Sequence, residues 1–190
     1  MDFNLLLFEG TDSIKFGMTS EEIQSILKTK PTLFRKSAVD LYETEEYKNI
    51  CHVYYEMGKN GLLICSEIEF FKPSQVFFDN TQLIGERREK IEALFKSKFN
   101  DYTVDDDRSN NFDIGFYAPI LPRKNSIVES VAIARKGYSK EQKIYYEKAY
   151  SQYNNACNSK EYYCIYCGAV SISETPLVEC SKCNVIMVPK

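Results

Sequence analysis

A single histidine, His52, is all that the 190 residues offer to imidazole chemistry. Nucleophilic catalysis of the Ser–His or Cys–His kind needs a base beside its nucleophile and a third group to orient that base. His52 directly follows Cys51, and neighbours in a strand point to opposite faces, so the two do not form a dyad. His52 reads as a structural side chain near Tyr54. The sequence also lacks a P-loop, a G-x-G-x-x-G turn, a G-x-S-x-G elbow and an H-E-x-x-H helix. No nucleophile, base and oxyanion stabiliser can be named together.

A basic surplus is missing too. Lysine and arginine number 24 against 27 aspartates and glutamates, a formal net charge of −3. Phosphate binding draws on clustered cations, and so does attraction to an anionic membrane. No apolar run approaches the ~18 residues of a membrane-spanning helix. The opening "MDFNLLLFEG" has no basic n-region and no small-residue cleavage site, so a reducing cytoplasm is the expected compartment.

What is present is enough apolar residue, 44%, for a real core in one medium domain plus something small. Seven cysteines are present, an odd number: Cys51, Cys65, Cys157, Cys164, Cys167, Cys180 and Cys183. The last four lie in "CIYCGAVSISETPLVECSKC" (164–183) as two C-x-x-C pairs separated by the twelve residues 168–179. A redox motif needs one such pair at the start of a helix, where the dipole lowers a thiol pKa. Here neither pair opens an apolar-periodic helix. Val170 and Ile172 alternate with Ser171 and Ser173 as in a strand, Glu174-Thr175-Pro176 makes a turn, and Leu177 and Val178 start a return strand. Two knuckles joined by that hairpin bring four thiolates into a tetrahedral site that suits Zn²⁺. Gly168 and Asn184 follow the second cysteine of each pair, where a tight knuckle favours positive φ. An iron site and a paired redox role are the alternatives.

The segment 161–190 resembles the zinc-ribbon family in its two knuckles, with Ile165 and Tyr166 where many ribbons carry proline. The resemblance implies a structural zinc with all four positions filled by protein, Cys164, Cys167, Cys180 and Cys183, and no open position for water. Without metal, so short a segment has too little apolar surface to fold. Cys157 reads as an incidental thiol or a substitute ligand, and Cys65 as a small apolar residue within a strand.

The first 138 residues read as an α+β domain, an antiparallel sheet with helices on one face, built from tandem units at 8–71 and 78–135. "FEGTDSIKFGMTSEEIQSILK" and "FDNTQLIGERREKIEALFK" both reach a glycine, Gly17 or Gly85, just before a helical pattern. Ile23, Ile26 and Leu27 match Ile91, Leu94 and Phe95 in spacing. Thr19 and Glu22 form a capping box that the second segment lacks. "VYYEMGKNGLLICSEIEFF" reads as a hairpin turning at Gly58-Lys59-Asn60-Gly61. "IKFGMTSEEIQSIL" resembles the helix-opening segment of BamE/SmpA-type proteins, which share a helix-plus-sheet fold with tandem β-lactamase-inhibitor-like proteins. Both groups work by binding other proteins, and the layout is similar to that of small immunity proteins of bacterial toxin systems.

Residues 139–160 read as a linker helix and joint, with Ser139 and Gln142 in capping-box positions and its tyrosines packed on the sheet or the ribbon. Asp105, Asp106 and Asp107 read as a solvated loop or, functionally, as an acidic surface that steers a basic partner. The expected function is therefore non-enzymatic protein binding, as an immunity or adaptor protein with a structural zinc. Two alternatives stand beside it: a nucleic-acid-binding ribbon protein and an unrecognised enzyme. Lys160, Lys182 and Lys190 only balance Glu161, Glu174 and Glu179, and four thiolates around Zn²⁺ add negative charge. That disfavours phosphate.

Overall fold

In the computed structural model, which describes residues 1–37, 39–104, 108–109, 111–119, 126–156, 161–164, 170–172, 178–180, 183 and 185–189, Gly17 and Gly85 open the same local construction. Both have positive φ, 91° and 94°, in the region that favours glycine. A Cβ at either would meet nothing within 4 Å, so the requirement lies in the backbone alone. Gly17 N–H donates to the Cys65 carbonyl at 2.8 Å, and Cys65 N–H returns to Met18. Gly85 N–H donates to the Val128 carbonyl at 2.9 Å, and Val128 N–H returns to Glu86.

A helix follows each glycine: α1 (Ser20–Leu27) and α2 (Arg88–Lys98). Ile23 and Ile91 are fully buried, as is Phe95, and Leu27 is nearly so. The i, i+4 spacing thus puts the same two positions of each helix into the core. Thr19 caps α1 with the full reciprocal box to Glu22, whereas Arg87 at the start of α2 makes no side-chain cap.

The chain divides into two compact units, Met1–Phe34 with Tyr42–Lys140, and Arg35–Leu41 with Glu141–Lys190. In the first, β1 (Asp2–Leu6) pairs with β2 (Gly10–Thr11), β7 (Gln75–Phe78) pairs with β8 (Thr81–Gln82), and β1 and β7 run parallel with Phe3 opposite Val76. The larger sheet holds β3 (Thr32–Phe34), β4 (Thr44–Tyr47), β5 (Cys51–Met57), β6 (Leu63–Phe71), β9 (Arg108–Ser109), β10 (Ile114–Tyr117) and β11 (Ser130–Ala134). Its order is β3-β4-β5-β6-β11-β10-β9, antiparallel throughout. The β5–β6 hairpin turns where the glycines stand: Gly58 N–H bonds the Leu62 carbonyl and Gly61 N–H bonds that of Gly58.

Period-2 alternation divides the larger sheet into two faces. Val53, Ile68, Phe70, Val131, Ile133, Ile114 and Phe116 bury against the helices. Phe95 anchors this core, with ring centroids 4.6 Å from Phe78, 5.3 Å from Tyr102 and 5.4 Å from Phe116. Glu45 also points to this face and is buried. It accepts hydrogen bonds from the hydroxyls of Tyr47 (2.7 Å), Tyr55 (2.5 Å) and Ser20, which satisfies a carboxylate that would otherwise be costly to bury. Burial first, and Glu45 second, push both phenols well above their ordinary pKa.

The last helix, α3 (Tyr138–Ala156), starts differently from the sequence reading. Its cap is the buried Asp113, whose carboxylate accepts from Gly137 N–H (2.7 Å) and Ser139 N–H (2.8 Å). Ser139 instead accepts a hydrogen bond from Arg108 through its hydroxyl. A cap brought from 24 residues upstream satisfies orphan amides at the start of the helix in place of a local box. Within the second unit, three tyrosines of α3 hold Ser37, Val39 and Asp40. Tyr145 donates to the Val39 carbonyl (2.7 Å), Tyr146 to Asp40 Oδ1 (2.5 Å), and Tyr150 shares a hydrogen bond with Ser37 (2.8 Å). Among the described residues, no helix is long and apolar enough to cross a membrane.

Candidate metal centre

The C-terminal sheet is made of β12 (Glu161–Tyr163), β13 (Val170–Ile172), β14 (Val178–Glu179) and β15 (Ile186–Pro189), in the order β13-β12-β15-β14. This corrects the pairing expected from sequence. β13 and β14 do not form a hairpin between the knuckles but lie on opposite edges of the sheet. Each knuckle has its own hairpin: β12 pairs with β13 around the first, and β14 with β15 around the second. The central β12–β15 ladder joins them.

That ladder explains why the thiols meet. Val178 lies opposite Met187, and Glu179 opposite Ile186, so the next step sets Cys180 opposite Val185. There Cys180 N–H donates to the Val185 carbonyl at 2.7 Å. Tyr163 lies opposite Val188, so the next step sets Cys164 opposite Met187. Residues two apart in a strand share a face, so Val185 and Met187 present both cysteines on one side of β15. Cys183 N–H then closes the second knuckle onto the Cys180 carbonyl at 3.2 Å.

The Sγ atoms of Cys164, Cys180 and Cys183 all lie within 4.8 Å of one another, close enough to hold a metal ion. Metal–thiolate bonds of about 2.3 Å in a tetrahedron place sulfurs about 3.8 Å apart, within that span. All three are reduced; Cys164 and Cys180 are 0% and 1% exposed, and Cys183 is only half-buried. Val185 and Met187, both buried, pack against the cluster. The donor set is soft and all sulfur, which selects thiophilic metals over Mg²⁺ or Ca²⁺. Cys167, the fourth expected ligand, lies outside the described residues, as do Gly168, Asn184, Cys157 and residues 173–177.

The other candidates are scattered. Asp105, Asp106 and Asp107 lie outside the described residues; they immediately precede the edge strand β9. Arg108 on that strand pairs with Glu67 of β6. His52 lies on the face of the larger sheet opposite the core, between the rings of Phe34 (4.9 Å) and Phe71 (4.7 Å). Its Nδ1 is 3.5 Å from Glu69 and its Nε2 4.0 Å from Glu46. Cys51 points the other way, fully buried, and burial pushes its thiol well above the usual range. Cys65 is likewise buried and shifted upward. Neither is poised as a nucleophile.

One feature escaped the sequence reading. The face that carries His52 is rich in carboxylates: Glu46, Glu56, Glu67 and Glu69 share it with Tyr54. Glu69 accepts from Tyr54 (2.9 Å) and Ser130 (3.1 Å), and Glu56 takes both ends of the Arg135 fork at 2.5 Å. The available signal was the alternation of acid with apolar residues in "SEIEFF", which marks a face without saying what surrounds it. Against known proteins, the chain matches no family model, no curated protein and no solved structure.

Proposed function

We propose that residues 161–190 hold one structural Zn²⁺ on Cys164, Cys167, Cys180 and Cys183, and that the chain acts by binding another protein without chemistry of its own. The meeting of three thiols from two separate hairpins supports the metal reading. Zinc is the ion for an all-thiolate tetrahedron that closes a fold too small to close by burial. Elemental analysis of the purified, reduced protein tests it. One equivalent of zinc is expected; less than about half an equivalent, with the thiols still titratable, removes the site.

The binding reading rests on the sheet face that carries Glu46, Glu56, Glu67 and Glu69, of which Glu56 and Glu67 already pair with Arg135 and Arg108, and on Asp105, Asp106 and Asp107, which precede β9 in the sequence. The scaffold beneath is read as a duplicated helix-plus-sheet unit, the kind of layout that immunity and adaptor proteins present to a partner. The partner that fits is basic. Affinity capture with the intact chain, followed by salt-dependent association kinetics, tests this reading. Charge reversal at the three aspartates should slow association and flatten its salt dependence while leaving folding unchanged, because rim charges act on encounter. Unchanged kinetics take this segment out of the interface. Salt-sensitive DNA or RNA binding that depends on residues 161–190 replaces the protein-binding reading with a nucleic-acid one.

A further inference from the structure

The three described thiols differ in what covers them. Cys164 and Cys180 sit beneath Val185 and Met187 at 0% and 1% exposure, while Cys183 closes the second knuckle half-buried. Its sulfur is also within 4.8 Å of the Cys180 sulfur, and the two belong to one knuckle tied by the Cys183 N–H to Cys180 carbonyl bond. A disulfide needs sulfurs about 2.05 Å apart and Cβ atoms about 3.5–4.5 Å apart, so forming one requires the two side chains to turn toward each other.

We propose that the centre is an oxidant-discharged switch with Cys183 as its point of entry, an inference that rests on the metal reading above. The oxidant class is a hydroperoxide. The Cys183 thiolate attacks the terminal peroxide oxygen; an S–O bond forms, the O–O bond breaks, and hydroxide leaves from hydrogen peroxide or an alkoxide from an organic hydroperoxide. The Cys180 thiolate then attacks the Cys183 sulfur; the S–S bond forms, the S–O bond breaks and hydroxide leaves. Two thiolates are oxidised by two electrons in all, the peroxide is reduced by two, and the metal loses two ligands from one knuckle. The ion is then released, and the β12–β15 ladder is left to hold the two hairpins together without it.

The test uses the full chain, purified with its zinc and exposed to hydrogen peroxide, with released zinc read by a chromogenic chelator and disulfides mapped by peptide mass spectrometry. Zinc release is expected in step with a single disulfide, Cys180–Cys183, and reduction with added zinc restores the bound state. Cys183→His keeps a zinc-ligating side chain but removes the accessible thiol, so peroxide-driven release should slow on the order of tenfold, since exposure and thiolate character set susceptibility. A zinc-loaded protein whose first oxidised pair omits Cys183, or whose Cys183→His variant loses zinc as fast as the parent, overturns the switch and leaves the zinc reading standing. A reduced protein with no zinc at all overturns both.

Discussion

Among the described residues, the first unit closes on a cluster of 24 buried side chains, whereas the C-terminal sheet of the second closes on four: Cys164, Cys180, Val185 and Met187. Two of those four are thiols. Burial at about 25 cal/mol per Å² of apolar surface can stabilise the first unit. Among the described residues of the C-terminal sheet, two of the four enclosed side chains are thiols, so the apolar surface they bury is small. On the metal reading proposed above, one chain uses two kinds of cohesion. One is distributed over a sheet and two helices, and the other is concentrated at a point.

The sharpest break in that contrast is loss of the proposed metal. Chelation, or Cys180→Ser, should abolish hydrogen-exchange protection across 161–189 while leaving the β5, β6 and β11 amides protected. The change is large because metal binding contributes about 10–16 kcal/mol to folding in small zinc modules. Equal loss in both units would show that the cohesion is not divided in this way.

Phe95→Ala probes the opposite side. Removing the ring that touches Phe78, Phe99, Tyr102 and Phe116 should cost about 3–5 kcal/mol in urea unfolding, with zinc stoichiometry unchanged. A cost near zero would mean that the aromatic cluster is not the anchor of the core.

Alkaline pH should also act on the first unit. Burial raises the phenol pKa values of Tyr47, Tyr55, Tyr102 and Tyr138 in the folded protein, and nearby carboxylates (Glu45, Glu92 and Glu67) add to the rise. A raised folded value means the unfolded chain ionises first, so this stability is whole below pH 10 and is lost as pH rises beyond it. Each such phenol lowers stability by up to about 1.4 kcal/mol per pH unit above 10. The share of tyrosinate absorbance that belongs to these four phenols should therefore appear together with unfolding, not before it.

The smallest effects sharpen the comparison between the two halves of the first unit. Thr19→Ala should cost about 1 kcal/mol, because it removes the cap of α1. Arg87→Ser supplies α2 with the side-chain cap it lacks and should gain about 0.5–1 kcal/mol. Equal and opposite shifts in the urea midpoint would mark capping as the local difference between otherwise matched segments.

Much of this fold was legible where the interaction is short-range. The T-x-x-E box gave α1 its start, and the shared spacing after Gly17 and Gly85 marked Ile23, Ile91 and Phe95 as inward residues. Gly58 to Gly61 turned the β5–β6 hairpin. The cysteine spacing announced the thiol cluster. Pairing was not legible. Alternation from Val170 to Ser173 showed a strand but not its partner, and the partner is β12 rather than β14. "TEEY" could not tell that Glu45 faces the core and Glu46 does not, because a one-residue shift exchanges the faces. The capping-box spelling at Ser139 and Gln142 was outcompeted by Asp113.

By itself the sequence determined the helix faces, the hairpin turn and the four-cysteine spacing, since each depends on residues at most a few positions apart. Tertiary structure alone decided that β15 lies between β12 and β14, that Asp113 caps α3, and that Tyr145, Tyr146 and Tyr150 hold Val39, Asp40 and Ser37 from 106 to 113 positions away. Contacts of that reach must first meet the entropy of closing a long loop, and only the assembled sheet and core make that closure favourable.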